Sequence, residues 1–310
     1  MDESHIIEWL LKGDVSIQYQ VYRDILDSNR KDLRSRIENE GWGKNFLSRQ
    51  KPNGHWGHRF YQPKWTSTHY TLLDLRNLNL SPDHKIVRES IKKILITSKA
   101  EDGGIQLGPS TSQFSDVCVN GMFLNYASYF QTPEKELESI VLSILNEKMP
   151  DGGFNCRSTR GSVKHSSLHS TISVLEGLHE FLIADYTYMK REVAKAIECA
   201  EEFILIHKLF KSDRTGDIIH KDFTKFSYPC RWKYDILRAL DYFRKAHRKW
   251  DERMTEAIEV IFDKRNKNGH WNMQAAHPGQ IHFEMEKAGQ PSRWNTLRAL
   301  RVLKHFHIAT

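Results

Sequence analysis

Five apolar segments of this chain are each introduced by side chains able to do chemistry. Lys64, Trp65, Thr66 and His69 lead the first, Asp116 and Cys118 the second, and His165 and His169 the third. Arg231, Trp232 and Tyr234 lead the fourth, and Arg293, Trp294 and Asn295 the fifth. Aromatic rings alternate with His and Arg. That mixture suits an elongated apolar ligand with a polar or anionic head, because Trp and Tyr supply apolar walls and Arg a bidentate clamp. Trp65, His69, His165, Arg231, Trp232, Tyr234, Arg293 and Trp294 are therefore the expected ligand-binding residues. For acid–base work the candidates are Asp116 and His169, with Glu284 and Glu286 in the segment HPGQIHFEMEKAGQPSRW. Plainer readings stand beside these. The tryptophans can equally fill a core, the arginines can pair with carboxylates, and the two glutamates can bond the Arg293–Trp294 loop. Arg157, Arg160 and Lys164 form a basic loop of the kind that is usually a solvated surface.

The elements that must position these residues follow from a repeated turn. KPNGHWG at 51–57, AEDGGIQ at 100–106, MPDGGFNC at 149–156 and NKNGHWN at 266–272 each join a turn tolerant of positive φ to a large apolar residue. The first three turns are 49 residues apart, and the gap before the last leaves room for one longer unit centred on LFKSDRTGDIIHKDF at 209–223. A period of about 50 residues marks a repeat architecture. After each turn an apolar helix is expected, containing LLDL (72–75), VNGM (119–122), LEGL (175–178), LRAL (237–240) or LRAL (297–300). Gly121, Gly177, Ala239 and Ala299 would let a neighbouring helix approach closely. More charged helices follow the first four, at 82–99, 133–148, 187–208 and 250–265, and three more are expected at 3–12, 13–26 and 31–50. Six apolar and six amphipathic helices alternate, with an unpartnered helix at each end of the chain. The economical arrangement is a single all-α domain over 1–310, an α/α toroid of six inner and six outer helices in which the first and last helices meet. The residues ahead of the inner helices would then converge on one rim, with the long 277–294 segment as a lid. Wherever inner-helix N-termini face the cavity they add to anion binding.

Composition narrows the function. The net charge of +7 is spread along the chain, which permits an anionic ligand but offers no compact basic motif for nucleic acid. The four Cys show no CxxC spacing, and MDESHIIEWLLKGD lacks the basic start of a signal peptide, so a reduced, cytoplasmic protein is the expectation. No apolar run is long enough to span a bilayer.

Gln50-Lys51-Pro52-Asn53-Gly54-His55-Trp56, and Asp151-Gly152-Gly153-Phe154 without the Gln, resemble the repeat of the terpenoid cyclases and protein prenyltransferases. KWTSTHYTLLDL, RWKYDILRAL and PSRWNTLRALRVL are similar to bacterial squalene-cyclase-like proteins over nearly the whole chain. The resemblance implies an α/α toroid with an isoprenoid or other small apolar ligand in its central cavity. The DxDD and DDxxD motifs of those cyclases are absent. By analogy with the prenyltransferases, Asp116, Cys118 and His169 would hold zinc and leave one position open for substrate. Two other functions fit the same architecture. One is a carbohydrate-active α/α-barrel enzyme with paired carboxylates from Asp74, Asp116, Glu176, Asp235, Glu284 and Glu286. The other is a non-catalytic helical scaffold that binds a protein or peptide.

Overall fold

The computed structural model describes residues 4–107, 114–156, 161 and 163–308; Arg157 and Arg160 of the basic loop lie outside them. Thirteen α-helices are present among the described residues. They are α1 (Ser4–Leu11), α2 (Val15–Asp24), α3 (Lys31–Arg36), α4 (Gly41–Leu47), α5 (Thr68–Asn77), α6 (Lys85–Thr97) and α7 (Val117–Tyr129). Then come α8 (Glu134–Asn146), α9 (Leu168–Ile183), α10 (Lys190–Ile206), α11 (Ile236–Lys245), α12 (Thr255–Asp263) and α13 (Arg293–His305). Among the described residues extended pairing is limited to isolated bridges, most of them at the turns: Lys99 with Ile105, Lys211 with Ile218, and Arg265 with Trp271. The chain is all-α, as its periodicity requires.

Two kinds of helix alternate. In α7 every residue from Val119 to Ser128 is buried, and in α13 every residue from Trp294 to Leu303. In α6 burial follows a stripe, Val87, Ser90, Ile91, Ile94 and Leu95, the face of an amphipathic helix covering a core. α2, α5, α7, α9, α11 and α13 are the apolar set. The rest are amphipathic. One expected helix is divided: 31–50 forms α3 and α4, with Gly41 at φ +54° between them. Asp14 is the cause. Its carboxylate accepts from Ser16 N at the start of α2 (2.9 Å) and from Trp42 N at the start of α4 (2.8 Å). A Cβ on residue 41 would lie 1.9 Å from Asp14 Oδ2. One side chain thus caps two helices, and only glycine fits beside it.

The chain divides into two compact units, each discontinuous in sequence. One comprises 49–77 and 81–204 and holds α5 to α9 and most of α10. In it α7 packs along α9, α5 and α8. A Cβ on Gly177 would come within 2.2 Å of Gly121 O, and one on Gly121 within 2.6 Å of Ser173 O, so the two glycines permit backbone-to-backbone approach. The other unit comprises 1–48, 78–80 and 205–310, and in it α13 packs on α11 and α2.

The repeat turns set the height of each apolar helix. Glycines 54, 103, 152, 216 and 269 all have φ between +76° and +93°, so the degenerate unit near 212–217 keeps the turn even though its wording has drifted. The large residue after four of these turns is buried, and its N–H donates to a side chain of the following helix. Trp56 donates to Thr68, Ile105 to Asn120, Phe154 to Thr171 and Trp271 to Thr296, over 2.8 to 3.3 Å. This register differs from that of the LLDL-type tetrapeptides, which lie at different heights relative to it. A second bond braces the turn itself. Gln50 donates to Gly54 O, and where the Gln is missing Lys99 and Arg265 do the same for Gly103 O and Gly269 O. The first three turns also rest on the next amphipathic helix: Gly54 against Lys93 of α6, Gly103 against Ser139 of α8, Gly152 against Cys199 of α10. At the last turn Gly269 rests against Ile6 of α1. The first helix therefore stands beside the last turn where a following helix stands beside each of the first three. Arg293 of α13 completes that junction by donating to Trp9 O (3.1 Å).

Candidate functional site

In the unit of α5 to α9, the turn aspartates deliver the segments that carry candidate chemistry. Asp102 Oδ2 accepts from Ser115 N (2.7 Å) and Ser115 Oγ (3.0 Å), holding the residue next to Asp116. Asp151 accepts from Ser166 N (2.8 Å), the residue after His165. Asp116 then ends the loop as the residue preceding α7.

His69, in the first turn of α5, is fully buried. Its Nδ1 lies 3.2 Å from Tyr126 Oη, and its Nε2 has no hydrogen-bond partner among the described residues. Burial lowers its pKa to about 3, so the ring is neutral at ordinary pH. Tyr61 lies against it with ring centroids 5.3 Å apart, and its hydroxyl meets that of Tyr70 at 3.0 Å. Tyr61 is the half-buried member of the group; Tyr70 and Tyr126 are fully buried. Burial pushes Tyr61 up to about 12; the Tyr70 hydrogen bond opposes this, and the nearby negative charge of Asp116 reinforces it. Of the candidates from different repeats, His69 packs directly on Tyr61, and Asp116 reaches it by electrostatics. Tyr61, Tyr70 and Tyr126 were missed from the sequence. Tyr61 lies in the loop ahead of its helix, and the other two sit inside helices that read as core.

The zinc expectation does not fit this geometry. No group of three His, Cys, Asp or Glu among the described residues is placed to hold a metal ion. Cys118 lies against Cys156, 38 residues on, with their Cα atoms 6.1 Å apart. Cys199 and Cys230 are free. His169 is the second residue of α9 and half-buried, and His165 is exposed. Trp65 is buried edge-on against Tyr70, with centroids 4.9 Å apart, and the Lys64 ammonium sits over its other ring surface at 4.8 Å.

The candidates of the other unit are largely engaged in holding it together. Tyr234 is buried, and its hydroxyl donates to Leu209 O (2.5 Å). Trp294 is buried between Tyr228 (4.3 Å) and Trp42 (6.0 Å), stacked on both. Arg293 lies over the Trp9 ring at 4.5 Å as well as bonding its carbonyl. Glu286 accepts from Arg293 N (2.7 Å), Trp294 N (3.4 Å) and Ser292 Oγ (2.5 Å), and so binds the loop at the start of α13. Burial raises its pKa against those hydrogen bonds. Glu284 is exposed. Arg231 is buried at φ +59°, and its carbonyl accepts from Arg238 (3.2 Å); Trp232 is half-buried with the Lys233 ammonium 5.7 Å over its ring. The 277–294 segment is tethered on this unit by Phe283 against Phe46 (4.7 Å) as well as by Glu286. Among the described residues no helix is long and apolar enough to cross a membrane.

No protein-family model and no curated protein matches the chain. A solved structure of a polysaccharide lyase does, at 12% identity and a TM-score of 0.52, over 94% of this chain and 87% of that one. That likeness is one of fold, and it places the chain among all-α folds of the α/α toroid class.

Proposed function

We propose that this chain is a carbohydrate-active enzyme that cleaves a polysaccharide by proton transfer, with Tyr61 as the acid and Asp116 as its carboxylate partner. The observation that carries the reading is the half-buried Tyr61, packed on His69 of a fully buried His69–Tyr126 pair and within electrostatic reach of Asp116. The likeness in fold to a polysaccharide lyase supports a polysaccharide as the substrate class of this reading. In elimination a carboxylate in electrostatic reach takes the proton from the carbon next to a uronate carboxyl. A carbon–carbon double bond forms as the glycosidic carbon–oxygen bond breaks, and a phenol held protonated gives its proton to the departing oxygen. His69 and Tyr70 act as positioning residues, fixing the ring and the hydroxyl of Tyr61. Paired carboxylates at a glycosidase spacing are a weaker basis. Asp235 caps α11 by accepting from Arg238 N (2.8 Å) and faces Arg298, and Glu286 is committed to the α13 loop. An isoprenoid ligand, which the turn motifs favour, is the competing reading. Tyr234 and Trp294, two of its expected wall residues, are taken up in packing.

The test is incubation with a panel of neutral and uronate-containing polysaccharides, scoring new reducing ends together with the ultraviolet absorbance of an unsaturated product. Cleavage with absorbance identifies elimination, and cleavage without it hydrolysis. Tyr61→Phe should lower kcat by about a hundredfold or more while leaving the melting temperature within a few degrees, since among the described residues its hydroxyl bonds only another hydroxyl. Tight binding of a prenyl diphosphate by native mass spectrometry, with no cleavage of any polysaccharide, would overturn the proposal.

A further inference from the structure

Cys156 ends the turn segment MPDGGFNC, and Cys118 is the second residue of α7. Both belong to the unit of α5 to α9. Their Cα atoms are 6.1 Å apart, inside the roughly 4.4–6.8 Å that a disulfide spans. Both residues are half-buried, so each keeps some contact with solvent.

The two sulfurs are not equivalent. Cys156 Sγ accepts from Cys118 N (3.2 Å), one of the first-turn N–H groups that a helix leaves to other partners. It also accepts from the Oγ of Ser170 (3.2 Å), a buried residue in the first turn of α9. Ser170 is held in place in turn, because its Oγ accepts from Cys156 N (3.2 Å). Donors aimed at a sulfur, with the start of a helix beside it, favour thiolate over thiol. Cys230 has its hydrogen bonds the other way round. Its Sγ donates to Ser227 O (3.3 Å) and to Asp235 Oδ2 (3.6 Å), partners that favour the protonated thiol.

We propose that Cys118 and Cys156 form a reversible thiol–disulfide pair that reacts with low-molecular-weight disulfides such as oxidised glutathione. Cys156 is the attacking sulfur and Cys118 the resolving one. The Cys156 thiolate attacks one sulfur of the small disulfide, a protein–glutathione bond forms, and one glutathione thiolate leaves. Cys118 gives its proton to solvent, attacks Cys156 Sγ and expels the second glutathione thiolate. Two protein thiols are oxidised, and one small disulfide is reduced to two thiols. The closed pair ties the segment after the third repeat turn to the first turn of α7, across 38 residues and two positions beyond Asp116. The proposal is independent of the polysaccharide reading, because thiol chemistry reads it directly.

The experiment treats reduced full-length protein with oxidised glutathione and follows each cysteine by peptide mass mapping. The parent protein should lose two hydrogens and join Cys118 to Cys156, with no glutathione retained on either. Cys118→Ser should keep one glutathione on Cys156. In Cys156→Ser, Cys118 should react about tenfold more slowly than Cys156 does in the parent. Ser170→Ala should slow the reaction of Cys156 severalfold and leave the rate at Cys199 unchanged, which a general loosening of the fold would not do. Should a variant fail to fold, alkylation of the reduced parent protein by iodoacetamide reads the same order, with Cys156 labelled about tenfold faster than Cys118. Failure of the pair to close, glutathione that persists on the parent protein, or equal rates at the two cysteines would overturn the proposal.

Discussion

His69 shows how one buried side chain sets the character of its surroundings. Removing an imidazole from water disfavours its charged form, and here no carboxylate offsets that cost, so the folded-state pKa is about 3. An ordinary His titrates near 6.5, and between those two values the unfolded chain binds a proton that the folded chain does not. The contribution to stability is therefore fully present above about pH 6.5 and is lost as pH falls toward 3. NMR of the imidazole should show no titration from pH 8 down to about pH 4. A midpoint near 6 would show that water or a counter-charge reaches the ring. At this scale the sequence singled out His69 and Asp116 as separate candidates, because both precede or open an apolar helix. It did not point to Tyr61, since nothing in a loop tyrosine distinguishes a phenol packed on a buried imidazole from one facing solvent.

At the scale of elements, the approach of α7 to α9 is the contact most sensitive to a single atom. Gly177→Ala places a Cβ 2.2 Å from a backbone oxygen, which no side-chain rearrangement relieves. We expect a loss of about 3 kcal/mol, measured by denaturant unfolding. Gly161→Ala, where a Cβ meets nothing within 4 Å, is the control and should change little. The small residues at positions 121 and 177 were legible as close-approach sites from their spacing in two repeats. The register between repeats was not. The tetrapeptides suggested one height for every apolar helix, whereas the turn N–H groups find Thr68, Asn120, Thr171 and Thr296 at different offsets from them. A buried N–H must be satisfied, so the hydrogen bond decides the height and the apolar pattern accommodates it. The same demand divides the expected 31–50 helix, where Asp14 supplies a cap that continuous helix would exclude.

At the scale of the whole molecule, the ends of the chain are joined by charge as well as by packing. Arg301 of α13 reaches Asp24 of α2 (2.8 Å), Asp241 of α11 (2.7 Å) and Gln20 (3.0 Å), all within one unit and largely out of water. Burial works to raise the Asp24 carboxyl, but Arg23 and Arg301 together hold it at about 2. A carboxylate with a depressed pKa stabilises the fold above its ordinary value near 4, and that stability is lost as pH falls through 2. Arg301→Met would remove the arginine shared by Asp24 and Asp241, leaving Arg23 on the first and Arg244 on the second. It should cost about 4 kcal/mol and move acid unfolding to higher pH, both readable by circular dichroism against pH.

What the sequence determined by itself is the class of fold and its punctuation. Apolar spacing, the 49-residue turn period and the glycines that only a left-handed turn requires are local properties, and local sterics enforce them wherever the chain goes. Tertiary structure alone decided which chemistry-bearing residues meet. Cys118 went to Cys156, Trp294 into a stack with Tyr228, and Glu286 to the backbone of its own loop, while His69 came against a tyrosine. Those outcomes depend on helix height to within a few ångströms. Buried hydrogen bonds between residues 12 to 25 positions apart fix that height, and no spacing along the chain encodes it.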